Sequence, residues 1–158
     1  MNYMLILLVS TIHMVWCLDP CVFESREDLD DAVESYFTNN NTYANCSIEN
    51  WNIEKIEDLS GLFKDRVYFN GDITTWNTTR VLNMSQMFRH ANRFNQDISS
   101  WNVENVLDMS EMFFFDKDDG DNTFGFNMDL RNWSPNAVTS MRSMFAWQEH
   151  YDQAIDWP

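Results

Sequence analysis

The segment W-N-T-T-R-V-L-N-M-S-Q-M-F-R-H-A-N-R-F-N-Q-D-I-S-S, Trp76 to Ser100, decides the fold, because it repeats the one before it, W-N-I-E-K-I-E-D-L-S-G-L-F-K-D-R-V-Y-F-N-G-D-I-T-T, Trp51 to Thr75. A third copy opens at Trp101 with W-N-V-E-N-V-L-D-M-S-E-M-F, carries about seven extra residues, and closes at Asn132. A fourth, W-S-P-N-A-V-T-S-M-R-S-M-F from Trp133, ends at Asp156, just before Trp157. Self-similarity at a period of about 25 residues marks a stacked-repeat architecture. The sequence therefore divides into 1–17, 18–50 and an array over 51–158 with repeats 51–75, 76–100, 101–132 and 133–156.

What recurs is an apolar set, so each repeat supplies one core layer. Trp51, Trp76, Trp101 and Trp133 open the layers, and Phe63, Phe88, Phe113 and Phe145 stand at the thirteenth position. Between them lie Leu59, Met84, Met109 and Met141, then Leu62, Met87, Met112 and Met144; Phe69, Phe94, Phe126 and Tyr151 follow. One repeat cannot bury such a set alone, so the stability of the array should come from contacts between repeats.

Asp58, Asn83, Asp108 and Ser140 precede the Leu/Met-x-x-Leu/Met-Phe run, and Gln86 and Glu111 stand three residues after theirs. That spacing predicts a capping box and a helix of one or two turns. The D-I-S-S-W type segment predicts a short strand, whose equivalents would stack in parallel roughly 4.8 Å apart. The expected fold class is α/β, an LRR-like solenoid of short parallel strands and short helices with an N-terminal helical cap. Asn52, Asn77 and Asn102, and Asn70, Asn95 and Asn127, are expected to satisfy turn backbone groups as ladder residues.

The block W-N-x-x-x-V-x-D/N-M-S-x-M-F followed by F-N-x-D-I-S-S-W resembles the BspA-like leucine-rich-repeat surface proteins, a bacterial and mycoplasma-type surface repeat of about 25 residues. The resemblance covers Trp51 to Trp157. It implies cell-surface or extracellular placement and a role in adhesion or partner binding. Ser134-Pro135 and Ala154 depart from the pattern, as does the long third repeat.

Tyr3 to Trp16 is an apolar run of about 14 residues, short of the about 20 that a membrane span needs. It reads as a signal peptide over 1–17, with the cut between Cys17 and Leu18 and no membrane span in the mature chain. Cys21 and Cys46 then remain as an even pair, which predicts a disulfide. Between them, Ser25 is placed to cap a helix with Leu29, Val33, Tyr36 and Phe37 along its apolar stripe, a lid for the first repeat.

Net charge of −15 and a pI near 4.2 exclude nucleic acid and anionic membranes as partners. Glycosylation acceptors occur at Asn40, Asn45, Asn77, Asn83 and Asn132. Asp116, Asp118, Asp119 and Asp121, in the third-repeat insertion, form a dense carboxylate cluster with weak calcium potential. No nucleophile motif, phosphate loop or metal-spaced His pair is present, and His90 and His150 occupy non-equivalent repeat positions. No motif calls for a cofactor. The function expected is a secreted or cell-surface binding module without catalysis, or alternatively a structural or glycan-displaying coat or decoy protein. Its partner would be a protein or glycan on a cell surface, with self-association through the last repeat a further expectation.

Overall fold

The structure, a computed structural model, describes residues 21–38, 43, 46–115 and 125–157. The expected signal peptide over 1–17, the acceptors Asn40 and Asn45, and the cluster of Asp116, Asp118, Asp119 and Asp121 lie outside the described residues.

The expected α/β leucine-rich-repeat solenoid is not formed. The described residues contain one α-helix, α1 at Arg26–Thr38, and a 3₁₀ turn at Ile48–Asn50. They contain no sheet; strand character is limited to isolated parallel bridges, Val22 to Asn52 and the series Asp58 to Asn83 to Asp108 to Ser140. The rest is turn and coil, stacked layer on layer.

The segments expected to be helical show why. In the first coil, Leu62, Lys64 and Arg66 donate back three residues, to the carbonyls of Leu59, Gly61 and Phe63. The alternate amides leave the coil: Leu59, Gly61, Phe63 and Asp65 donate to the carbonyls of Asn83, Ser85, Met87 and Arg89 in the next one, at 2.8–2.9 Å. An α-helix commits its N–H groups to its own turns, whereas here half of them bond the neighbour. The same alternation joins the second coil to the third and the third to the fourth.

Left-handed backbone makes this path possible. Gly61, Gln86, Glu111 and Ser143 have φ of 62°, 57°, 55° and 55°, and Asp65, His90 and Trp147 repeat the feature four residues on. Each sits third in a four-residue turn closed by a bond from the fourth N–H to the first carbonyl, the position where a type II turn requires positive φ. Gln86 and Glu111 are therefore turn residues and not members of capping boxes. Asp58, Asn83 and Asp108 instead accept from the N–H two residues on, that of Ser60, Ser85 and Ser110, at 2.7–2.9 Å.

The expected strands are corners for the same reason. Asp72, Asp97 and Asp129 each accept from the N–H two residues later, and the N–H of Trp76, Trp101 and Trp133 bonds the carbonyl three residues back. Such Asx turns compete with extended backbone.

A left-handed non-glycine residue costs about 1–2 kcal/mol, while glycine there costs about 0.5–1 kcal/mol in chain entropy. Ser143 is exposed, so Ser143→Gly is expected to stabilise by about 0.5 kcal/mol. Gly61→Ala is expected to destabilise by about 1 kcal/mol, although a Cβ there would have room, with Lys64 Cβ 3.9 Å away. Chemical denaturation of the two variants checks both signs.

The core consists of aromatic columns. Phe63, Phe88, Phe113 and Phe145 stack at centroid separations of 5.8, 5.6 and 5.5 Å. Phe69, Phe94, Phe126 and Tyr151 form a second column at 5.7, 5.9 and 6.4 Å. Within each coil the two columns meet face to face, at 3.8 Å for Phe63 with Phe69 and for Phe88 with Phe94. Trp51, Trp76 and Trp101 stack at 6.1 and 6.5 Å. Their indole N–H groups reach into the layer before: Trp76 Nε1 donates to Ile48 O, Trp101 to Ile73 O and Trp133 to Ile98 O. Phe145, Met141 and Val138 in the fourth coil are only partly buried, because a layer is completed by neighbours on both sides.

Helix α1 covers the first coil. The Ser25 hydroxyl accepts from Asp28 N–H while Asp28 accepts from Ser25 N–H, a reciprocal cap. Leu29, Ala32 and Val33 are buried, and Tyr36 and Phe37 lean edge-on against Phe69. Cys21 and Cys46 stand at disulfide distance, with their Cα atoms 5.6 Å apart.

Candidate binding surface

Because each coil repeats its turns in register, it also repeats its exposed side chains, and these line up in columns. The most regular lies at the corner after the second aromatic column. Asn95 N–H donates to Asn70 Oδ1 at 2.9 Å, Asn127 N–H to Asn95 Oδ1 at 2.9 Å, and Asp152 N–H to Asn127 Oδ1 at 3.1 Å. These Asn residues form the expected ladder between coils. Asn52, Asn77 and Asn102 act differently, each accepting from the N–H two residues on within its own coil.

Beside the ladder runs a column of carboxylates, Asp72, Asp97 and Asp129. Each is held below the ordinary Asp range, first by a side-chain hydrogen bond from Thr74, Ser99 or Arg131 and then by the backbone N–H of that residue. Asp129 pushes Asp97 partly back up. A lowered folded-state value adds stability above the unfolded Asp pKa of about 3.9, and the gain is lost as pH falls through the folded value. Acidification toward the pI near 4.2 meanwhile relieves self-repulsion of a chain at −15. The melting temperature is therefore expected to fall only below about pH 4. In a variant with Asn at 72, 97 and 129, which keeps the turn acceptors, that acid limb should move to lower pH. An unchanged limb measured by thermal melts would remove these carboxylates as its cause.

A second polar line crosses all four coils on another face. Lys64 Nζ donates to Gln86 Oε1, Gln86 Nε2 donates to Glu111 Oε2, and Glu111 takes both Arg89 and Arg142. The Glu111 side chain is only 12% exposed, so its pairs are screened less than surface ones. Arg89 also lies over the Phe114 ring, 4.6 Å from its centroid. This network serves cohesion between coils.

Glu49, Asn50, Trp51, Asn52, Ile53, Glu54, Thr75 and Asn77 line an open depression of about 240 Å³, below the about 300–1,000 Å³ of small-molecule pockets. Among the sequence-proposed sites, Asn77 and Asn132 are exposed, and Asn83 is half-buried between coils. His90 Nδ1 lies 3.1 Å from Asp65, and the two histidines are not brought together with metal-binding partners: no group of three or more His, Cys, Asp or Glu able to hold a metal occurs among the described residues. No helix among them is long and apolar enough to cross a membrane.

Sequence reading missed Arg26, Arg89 and Glu111 as contacts between layers. The one available signal was Gly61, which marks the left-handed position occupied in the other repeats by Gln86, Glu111 and Ser143.

These features define a repeat protein of turn-built coils with aromatic columns inside and polar columns outside. The chain belongs to the family described as "Mycoplasma protein of unknown function, DUF285", whose model matches residues 31–157. No curated protein and no solved structure matches it.

Proposed function

We propose that this chain is a secreted or cell-surface module that acts by binding and not by catalysis, with a protein or glycan on a cell surface as partner. The observation that carries this reading is the exposed corner on which successive coils repeat the same polar groups. There Asn70, Asn95 and Asn127 adjoin Asp72, Asp97 and Asp129. Regularly spaced donors and acceptors suit a ligand that is itself repetitive. The likeness of the W-N to M-F blocks to BspA-like surface proteins supports the surface placement.

Such a face is small beside the about 800 Å² per partner of a standard interface, so single-site affinity is modest and clustering of copies raises it. A second copy is the first partner to test. Retention on cell surfaces or glycan arrays, lost on substitution of Asn95 and Asp97, is the expected result. No retention, together with a monomer in sedimentation at high concentration, rejects the binding reading. The exposure of Asn77 and Asn132 favours the glycan-displaying coat or decoy as the second reading, and mass spectrometry of secreted material distinguishes it by occupancy at those two residues.

A further inference from the structure

We propose that Asn70-Gly71 is a covalent modification site at which the folded chain forms a succinimide and loses ammonia, so that the joint between the first and second coils ages with time. It is the sole Asn-Gly pair in the sequence. The fold calls for both residues. Asn70 begins the side-chain ladder, and a Cβ on Gly71 would lie 2.8 Å from Phe69 Cε2 and 3.3 Å from Ile48 Cγ2.

The surroundings assign a role to each reacting group. Asn70 is exposed, and its Oδ1 accepts the Asn95 N–H at 2.9 Å, a donor that stabilises negative charge on that oxygen as a nucleophile adds to Cγ. The Gly71 N–H, the nucleophile once its proton passes to solvent base, donates to none of the described residues. Its nitrogen bonds to Asn70 Cγ, the bond from Cγ to Nδ2 breaks, and Nδ2 leaves as ammonia with a proton from water. Water then opens the imide at either carbonyl, leaving aspartate or isoaspartate; the net change replaces NH₂ by OH.

Two internal controls lie in the same ladder. Asn95 and Asn127 have the same bond to Oδ1, at 2.9 and 3.1 Å, but are followed by Gln96 and Met128. Their side chains restrict the backbone rotation that glycine leaves free.

An aspartate at 70 keeps an acceptor for Asn95 N–H. Isoaspartate instead routes the main chain through the side-chain carbon and displaces the Asn70 carbonyl, which accepts Gln96 Nε2 at 3.0 Å.

The test is incubation of the folded chain at mildly alkaline pH, followed by peptide mapping that separates aspartate from isoaspartate. Asn70 is expected to convert about tenfold ahead of Asn95 and Asn127, with amide exchange at Asn95 rising as isoaspartate accumulates. Equal conversion at the three positions, or an intact Asn70 after the other two have converted, overturns the proposal. Asn70→Asp should fold and release no early ammonia; early release persisting in that variant would place the reactive site elsewhere and also overturn it.

Discussion

Trp101→Ala is expected to lower stability by about 3–5 kcal/mol, the range for truncating a buried aromatic side chain, and Trp157→Ala by clearly less. Trp101 is 3% exposed and stacks on Trp76 at 6.5 Å. Its indole N–H bonds the Ile73 carbonyl at 3.2 Å, a contact to the coil before that truncation removes, although that carbonyl keeps the Trp76 N–H. Trp157 makes the equivalent bond, to Leu130 O at 2.8 Å, and stacks on Trp133, but it is only partly buried. The difference tests whether each coil draws its stability from neighbours on both sides. Equal losses in denaturant midpoint would reject the layered account.

Arg26→Ala is expected to cost about 1–2 kcal/mol, at the lower end for charged hydrogen bonds because the side chain is partly exposed. The reason lies in the polarity of the stack. The first three coils each donate alternate N–H groups to the next, so Asp58 and Ser60 in the first coil present carbonyls whose counterparts Asn83 and Ser85 accept from the coil before. Arg26 fills that place from α1: Nη1 donates to Asp58 O at 3.1 Å and Nη2 to Ser60 O at 2.9 Å. A guanidinium fork spans two acceptors at once, which an ammonium does not, so Arg26→Lys should recover less than half of the loss. The control is Lys55→Ala, which removes the exposed pair with Glu24 and should cost about 0–1 kcal/mol. If Arg26→Ala unfolds no earlier than Lys55→Ala, the guanidinium is not closing the ladder.

At the first coil the open carbonyls are met by Arg26, and the apolar face is met by Leu29, Val33 and Phe37. At the fourth coil, Phe145, Tyr151 and Trp157 are partly buried and Trp147 is 52% exposed.

Repetition, periodicity and residue type determined much of this protein by themselves. The recurring Trp, Met and Phe set identified which side chains form the core, and Trp51, Phe63, Phe88 and Phe113 are buried as expected. Ser25 and the Leu29 and Val33 stripe marked the helix over the first coil. The Asn at 70, 95 and 127 form the ladder that their spacing suggested, whereas those at 52, 77 and 102, which share that spacing, accept within their own coils. The backbone path was decided only in the tertiary structure. Apolar residues at intervals of three and four suit an α-helix, but they also suit consecutive turns with positive φ at the third position, since both put those side chains on one side. What separates the two is where the alternate N–H groups find acceptors. Leu59, Gly61, Phe63 and Asp65 find theirs in the next coil, and a single repeat contains no record of that neighbour. The same holds for Arg26 and Glu111, whose partners lie a whole repeat away and become visible only once the coils are stacked.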